Sequence, residues 1–300
     1  MSDAFKLTDL VDRVSTRRPP HAKFLGEAFR LLTNEEKIEA DSYLAYMIKD
    51  HDPNYLVESY ETIVDDTSDA QLFFAREGRY RCSTFEEVAN SVYFNDEYMK
   101  KYMVGLAITS FVWPNHTYIR RFFRDTFPTG RSGTYLEVGP GHGLSLIEAI
   151  RSGNLDQYVG VDISATSLNL TRDVIRFFCP SDFERVSLIQ SDFLAGKDFG
   201  EKFDILVMGE VLEHVEQPKA FLARLRTLAA PNAHIFVTTC VNAPAIDHIY
   251  LFSSEKQVEA EIAESGLSIR KRLAVPYFGK TIEESVAQRL PINVAYVLAP

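Results

Sequence analysis

Cysteine is scarce in this sequence, and the cysteines are not spaced in pairs. Among 300 residues there are three, Cys82, Cys179 and Cys240. A disulfide framework needs cysteines in matched numbers and a thiolate zinc site needs closely spaced pairs, so the spacing argues against both. Isolated cysteines are typical of proteins in a reducing compartment, and we expect a cytoplasmic protein.

Long hydrophobic runs are also missing. The longest apolar stretch, near Val104 to Trp113, is too short and too interrupted by polar residues to span a membrane. The first ten residues are polar and lack the apolar core of a secretion signal. We therefore expect no membrane partner.

Basic tracts are absent as well. The net charge is −10, and residues 1–130 and 131–300 each carry 16 Lys and Arg against 21 Asp and Glu. A nucleic-acid-binding protein needs a basic face, so an evenly acidic chain argues against RNA or DNA and favours a small-molecule substrate. The composition is compatible with a homodimer.

The most informative segment that is present is the glycine-rich stretch 135–143. An apolar strand, Thr134 to Val138, is followed by Gly139, Gly141 and Gly143, and then by a helical pattern. Glycines let the backbone approach a ligand closely, and a helix that begins there offers free N–H groups to an anion. The segment predicts a site for a nucleotide-like cofactor in a doubly wound α/β fold.

The glycine spacing indicates which cofactor this is. Leu144 stands where a dinucleotide-binding turn has Gly or Ala, and Glu137 lies two residues before Gly139. This G-x-G-x-G pattern resembles motif I of class I S-adenosylmethionine-dependent methyltransferases. The resemblance implies that Glu137 lies near the cofactor's ammonium group and that the N–H groups of the turn bind its carboxylate.

Further elements of that family follow in order along the chain. Asp162 ends the second strand pattern, where an acid can accept hydrogen bonds from both ribose hydroxyls. By resemblance, Asp192 after the third strand receives the adenine amino group and Phe193 covers the ring. Ile163 and Gly209 are assigned to the same cofactor site.

The expected fold is a Rossmann-like, seven-stranded, mostly parallel sheet with helices on both faces. Residues 131–300 are predicted to form this S-adenosylmethionine-binding domain, after a hinge at Pro128 to Gly133. Residues 21–130 have helical patterns, and we interpret them as an all-helical cap over the substrate. Residues 1–20 are predicted to be a flexible N-terminus.

Catalytic candidates follow the fourth strand, which faces the sulfonium in this fold. If the segment is helical, Glu210, Glu213 and His214 lie on one helix face. One interpretation makes His214 or a glutamate a general base. The other adds His248 and makes all four ligands of a divalent metal ion, because the Glu-x-x-Glu-His string resembles both ubiquinone-type O-methyltransferases and metal-dependent small-RNA 2′-O-methyltransferases.

Substrate contacts are predicted beside the proline at position 114. Trp113, Asn115, His116 and Tyr118 combine aromatic and polar side chains there, and His248 is a further candidate. The alternative is that the aromatic residues only pack the core, as aromatics at helical spacing usually do.

We therefore expect a methyltransferase of the biosynthetic type that acts on a small metabolite or natural-product intermediate, with oxygen favoured over nitrogen or carbon as the acceptor atom. Two alternatives stay open. One is a lyase or cyclase that consumes the same cofactor and releases methylthioadenosine. The other is a non-catalytic subunit that only binds a partner. Fold alone does not decide among them.

Overall fold

The first part of the chain is helical. A computed structural model describes residues 5–196 and 199–300. Local sequence explains several helix starts: Thr33 and Glu36 form a reciprocal capping box, and Pro114 occupies the first turn of its helix, where no backbone N–H is needed. The helices before the sheet are α1 (Leu7–Arg17), α2 (Pro19–Leu31), α3 (Asn34–Met47), α4 (Pro53–Glu77), α5 (Phe85–Val88), α6 (Asp96–Val112) and α7 (Pro114–Thr126), with a π-helical turn at Ala89–Tyr93.

The prediction of a flexible N-terminus is wrong for most of residues 1–20. Helix α1 buries Leu7, Leu10 and Val14 against the neighbouring helices, and Arg17 forms an ion pair of 2.7 Å with Glu61 of α4. The apolar residues recur at helical spacing, so one face of this short helix is buried while the other is polar. Residues 1–4 lie outside the described residues.

The second part forms one seven-stranded sheet, which confirms the predicted architecture. The strand order is β3-β2-β1-β4-β5-β7-β6, where β7 runs antiparallel to both of its neighbours and the other pairs are parallel. The strands are β1 (Thr134–Val138), β2 (Gln157–Asp162), β3 (Val186–Gln190), β4 (Phe203–Gly209), β5 (Ala229–Val241), β6 (Ser268–Val275) and β7 (Ile292–Ala299).

Helices cover both faces of this sheet. Buried apolar runs in β1 and β4 are what a parallel sheet between two helical layers requires. The carboxyl ends of β1, β2 and β4 meet at one edge, where the chain order reverses and ligands bind in such folds. The covering helices are α8 (Leu144–Ser152), α9 (Ala165–Phe178), α10 (Pro218–Leu228), α11 (Glu255–Glu264) and α12 (Ile282–Ala287).

The N-terminal helices pack directly on the sheet region. The ring of Phe123 in α7 lies 5.0 Å from that of Phe236 in β5, and the Tyr43 hydroxyl of α3 donates a hydrogen bond of 2.7 Å to the carbonyl of His142 in the glycine turn. The helices thus enclose the carboxyl edge of the sheet. Within the described ranges, none of them combines the length and hydropathy that a membrane crossing requires.

Candidate active site

The glycine turn between β1 and α8 has the strained backbone that its sequence predicts. Gly139, Gly141 and Gly143 have φ of 69°, 55° and 77°, in the left-handed region that favours glycine. A Cβ added at Gly139 would lie 2.9 Å from the Val211 side chain, so that position also has no room for one. Gly139 and Gly141 line a cavity, whereas Gly143 lies behind the turn and begins α8.

Glu137 lies beside this turn, at the end of β1. Its side chain is 4 % exposed, and the Tyr135 hydroxyl donates a hydrogen bond of 2.8 Å to Oε2. Burial raises the pKa of Glu137 to about 8. Among the described residues, no basic side chain lies within ion-pair distance of this carboxyl group, and an ammonium group in the cavity would supply a cationic partner.

Asp162 ends β2 at the predicted position. Oδ1 accepts a hydrogen bond of 2.8 Å from the backbone N–H of Ser164, and Oδ2 accepts one of 3.0 Å from the Ser167 hydroxyl. Burial raises the pKa of this carboxyl group, which lines the same cavity as Ile163. The backbone N–H groups of Ile163 and Gly141 also interact with this carboxylate, so several donors hold it in place at the cavity.

The segment after β3 adds a polar and an apolar group. Oδ1 of Asp192 accepts hydrogen bonds of 2.7 and 3.2 Å from the N–H groups of Leu194 and Ala195, while Phe193 is 5 % exposed and its ring lies 5.5 Å from that of Phe221. Asp192 and Phe193 both line the cavity, beside Gly209 at the end of β4. A carboxylate next to a fixed ring is a suitable surface for a heterocyclic base.

The tip of β4 does not form the predicted helix. Glu210 has a φ of 51°, which a non-glycine residue rarely adopts, and only Leu212–His214 forms a short 3₁₀ turn. The N–H of Glu210 is held by the Thr238 carbonyl (3.2 Å) and hydroxyl (3.0 Å) of β5. Those contacts keep the backbone strained, and strained residues of this kind cluster at functional sites.

The two glutamates of this tip have different surroundings. Glu210 accepts a hydrogen bond of 3.2 Å from the Asn293 amide, and its Oε1 is buried without a partner. Glu213 is fully buried and accepts a hydrogen bond of 2.8 Å from the Thr239 hydroxyl. Burial and then the nearby Glu210 charge raise the pKa of Glu213 well above its usual range. Glu213 is thus held neutral under the cavity floor, while Glu210 lies at the cavity wall.

His214 is oriented by an acid from a distant loop. Its Nδ1 lies 3.3 Å from a carboxylate oxygen of Asp247 and 3.1 Å from the Asp247 carbonyl. Two tyrosine hydroxyls of the helical region donate to the same carboxylate, Tyr93 at 3.2 Å and Tyr102 at 3.0 Å. With the proton on Nδ1, the Nε2 of His214 is left as an acceptor.

The predicted metal ligands do not converge on one point. In the described part of the chain, two groups of three ligands are close enough to share an ion: Glu213, Cys240 and His248, and His214, Asp247 and His248. Glu210 belongs to neither group. The Asp247 oxygens already accept tyrosine hydrogen bonds, and Nδ1 of His248 lies 2.5 Å from the Ala243 carbonyl. The residues do not fit the four-ligand site, and no catalytic step is derived through a metal.

The predicted substrate residues all line the cavity, and each has a partner inside the protein. The Trp113 indole N–H donates to the Tyr60 hydroxyl at 3.1 Å, and the Asn115 amide donates to the Asn293 side chain at 2.9 Å. Burial lowers the pKa of His116 to about 4. The remaining two, Tyr118 and His248, lie at the same cavity surface.

All these groups surround one cavity of about 1170 Å³ between the sheet edge and the N-terminal helices. The cofactor residues form one wall, the β4 tip lies at the centre, and helices α4, α6 and α7 form the opposite wall. Sequence reasoning missed Asp247 as the partner of His214, and it missed the two tyrosines. The only sequence signal was the cluster of polar residues after β5, which does not reveal its contacts.

Comparison with known proteins identifies the type of domain. A family model described as a methyltransferase domain matches residues 136–235. The ubiquinone biosynthesis O-methyltransferase of Pasteurella multocida (strain Pm70) is 28% identical over 110 residues, which are 35% of this chain and 45% of that protein. The enzyme of the same name from Rhodopseudomonas palustris (strain HaA2) is 32% identical over 105 residues, 35% of this chain and 38% of that protein. The chain thus spans less than half the length of these curated relatives.

Solved structures show the same fold. The mitomycin 7-O-methyltransferase structure superposes with a TM-score of 0.55 at 11% identity, over 83% of this chain and 70% of that one. Phosphoethanolamine N-methyltransferase 2 of Haemonchus contortus gives a TM-score of 0.55 at 12% identity, over 73% of this chain and 60% of that one. The segment that the family model matches spans the glycine turn and Asp162. Residues 136–235 thus form a methyltransferase domain, and this match together with the curated relatives supports placing the chain in the class I S-adenosylmethionine-dependent methyltransferase superfamily.

Proposed function

We propose that this protein transfers the methyl group of S-adenosylmethionine to a small-molecule acceptor, with oxygen favoured as the acceptor atom. One observation carries the proposal: the predicted cofactor residues other than Gly143 line the same cavity as His214, with a wall of helices opposite them. The relatives that methylate oxygen support the choice of atom.

The cofactor site has a complementary group for each part of the cofactor. In this proposal Glu137 binds the ammonium, the N–H groups around Gly139 and Gly141 bind the carboxylate, and Asp162 binds the ribose hydroxyls. When bound, S-adenosylmethionine supplies an electrophilic methyl group on a positively charged sulfur. The protein has only to orient the acceptor in line with that methyl and to remove a proton.

His214 is the proposed base. With Nδ1 held by Asp247, Nε2 can accept the proton of a hydroxyl or amine acceptor as the new bond to carbon forms. The proton moves to Nε2, and the charged imidazole is then stabilised by the Asp247 carboxylate. Glu210, which carries a buried oxygen without a partner, is proposed to bind the acceptor's polar group. Glu213 is proposed to support this floor from below.

The helical region is proposed to act as the cap. We retain the predicted division into residues 21–130 and 131–300, because helices α4, α6 and α7 form the cavity wall opposite the glycine turn. Its contribution is twofold: it excludes water from the site, and through Tyr93 and Tyr102 it holds the acid that orients His214. We expect Trp113, Asn115, His116, Tyr118 and His248 to contact the acceptor.

A first experiment tests cofactor use. Purified protein is titrated with S-adenosylmethionine and S-adenosylhomocysteine by calorimetry, with Asp162→Asn as the matched control. The proposal expects binding of both compounds and weaker binding in the variant. No detectable binding to the native protein would overturn the proposal and favour the non-catalytic alternative.

A second experiment tests the reaction type. The protein is incubated with S-adenosylmethionine and a panel of phenols, catechols, hydroxy acids and amines, and the cofactor products are separated by chromatography. Methyl transfer produces S-adenosylhomocysteine only when an acceptor is present. Methylthioadenosine as the product would instead support the lyase or cyclase.

A third experiment tests the metal prediction. The metal content of the purified protein is measured, and its activity is compared with and without chelator. Full activity of metal-free protein would contradict the metal prediction.

A further inference from the structure

The acceptor half of the cavity has a defined chemical character. We infer that the acceptor is a bulky, largely apolar molecule that carries no negative charge. This inference rests on the proposed function, because it concerns the part of the cavity that the cofactor leaves free. It goes beyond methyl transfer itself, which places no restriction on the size or charge of the acceptor.

The first argument is size. A single drug-sized ligand occupies a pocket of roughly 300–1,000 Å³. The cavity here is about 1170 Å³. The cofactor fills one wall of this space, and the volume toward α4 and α6 remains for the acceptor. A molecule of one or two carbons would leave much of that space filled with water, whereas a molecule with fused or linked rings would fill it.

The second argument is the nature of the wall. Helices α6 and α7 line the cavity mainly with aliphatic, sulfur-containing or aromatic side chains, whereas α4 contributes Ile63 and Val64 together with polar residues. Trp113, between α6 and α7, and Tyr277 and Phe278, in the loop after β6, add aromatic surface. Burying an apolar acceptor surface against such a wall contributes roughly 25 cal/mol per Å².

The third argument is charge. Among the described residues, seven acidic side chains besides the protonated Glu137 and Glu213 line the cavity, against two cations, Arg120 and Lys280. Arg120 is already paired, with its Nη2 2.6 Å from Glu148 and 2.9 Å from Glu39. Lys280 lies 4.0 Å from Glu284 on the protein surface. Each cation lining the described cavity therefore has an acid partner of its own, and an anionic acceptor would enter a negative field without a cation to meet it.

Asp66 shows this field most clearly in the acceptor half. It lies on α4 at the cavity, where its carboxylate accepts a hydrogen bond of 2.6 Å from the Tyr98 hydroxyl. Burial, and then the charges of nearby carboxylates including Asp247, raise the pKa of Asp66. Within the described ranges no basic side chain forms an ion pair with it. A carboxylate in this position repels an anionic acceptor and tolerates a neutral or cationic one.

The test compares three probes that share one skeleton: 4-phenylphenol, 4-phenylbenzylamine and biphenyl-4-carboxylate. Each is titrated by calorimetry into protein saturated with S-adenosylhomocysteine, at low and at moderate salt. We expect the phenol and the amine to bind at least about tenfold more tightly than the carboxylate, with a difference that shrinks as salt rises.

A matched pair of variants then locates the effect. Asp66→Asn keeps an oxygen acceptor for Tyr98 and removes the charge at the cavity. Glu58→Gln removes a charge eight residues earlier on the same helix, at an exposed position outside the cavity. We expect Asp66→Asn to tighten binding of the carboxylate several-fold without affecting the phenol, and Glu58→Gln to affect neither probe.

The outcomes separate this inference from the proposed function. If S-adenosylhomocysteine does not bind, the proposed function fails. If it binds but biphenyl-4-carboxylate binds as tightly as 4-phenylphenol, or if both variants change its affinity equally, only the inference about the acceptor is overturned. Binding of none of the three probes to a cofactor-loaded protein would also overturn it, because the cavity would then not accept a two-ring molecule.

Discussion

Replacing Glu137 by glutamine tests the cofactor site at its most distinctive residue. Gln has nearly the same shape and keeps an acceptor for the Tyr135 hydroxyl, so the variant removes the charge and little else. Because burial places the Glu137 pKa at about 8, the carboxyl group is mostly protonated at pH 7 in the free protein. Binding of the cofactor's ammonium should ionise it and release a proton to the solvent.

The size of the effect follows from this pKa. Losing one partner of a buried charge pair costs about 2–5 kcal/mol. Ionising a carboxyl group one pH unit below its pKa costs about 1.4 kcal/mol, which reduces the benefit at pH 7. The net loss in Glu137→Gln is then about 0.6–3.6 kcal/mol, or roughly 3- to 400-fold weaker S-adenosylmethionine binding.

The proton release is measured by calorimetry in two buffers of different ionisation enthalpy. We expect about 0.9 proton released per cofactor at pH 7 by the native protein and none through this group in Glu137→Gln. The affinity of the native protein should rise between pH 6 and 8, since the carboxyl group is then easier to ionise. Equal proton release by both proteins, or equal affinity, would refute the assignment of Glu137 to the ammonium.

The same pKa has a consequence for the protein without cofactor. A folded-state pKa above the usual carboxyl range means that the folded protein holds a proton that the unfolded chain has lost. Stability from this group is therefore fully present at acid pH and decreases as pH rises toward 8. Chemical denaturation between pH 5 and 8 would show a smaller decrease in Glu137→Gln than in the native protein.

Three further predictions concern the ribose site, the base and the N-terminal helix. Asp162→Asn should weaken cofactor binding by about 1.5–3 kcal/mol, because hydrogen bonds to a charged group are replaced by neutral ones; a calorimetric change below twofold would contradict this. His214→Gln should lower kcat by roughly 10²–10⁴ with cofactor affinity unchanged, and an unchanged kcat would exclude His214 as the base. Leu10→Ala should destabilise the protein by about 2–5 kcal/mol in urea while the exposed Asp12→Ala does not, and equal stabilities would mean that α1 is not packed as described.

The sheet and the cofactor wall could be predicted from the sequence because their signals are local. The glycines at 139 and 141 and the acid at 162 stand at fixed positions relative to strand ends, so the fold itself brings them together. The strand periodicity predicts the sheet, and the glycine turn predicts the cofactor wall. The helix α1 was missed because a short amphipathic segment beside two prolines looks like a tail until its burial is known.

The catalytic centre could be predicted only in part, because its contacts join distant parts of the chain. His214 was proposed from its motif, and the shared helix face considered for residues 210–214 does not form, because the Thr238 contacts of β5 hold Glu210 in a left-handed conformation. The tyrosines that bind Asp247 lie 154 and 145 residues away from it. No periodicity or spacing relates positions so far apart, and only the packed structure reveals them.

The hydrogen bonds from Tyr93 and Tyr102 to Asp247 connect the helical region to the proposed base, His214, in addition to its proposed role as a cap. A fragment beginning at Thr134 would retain the sheet and the glycine turn. It would, however, leave Asp247 without two of its hydrogen-bond donors and the imidazole of His214 without a fixed orientation. Exchange of the N-terminal helices between related proteins would thus alter turnover together with selectivity. In the proposed mechanism, the same few turns of helix would determine both which acceptor binds and how the base is oriented.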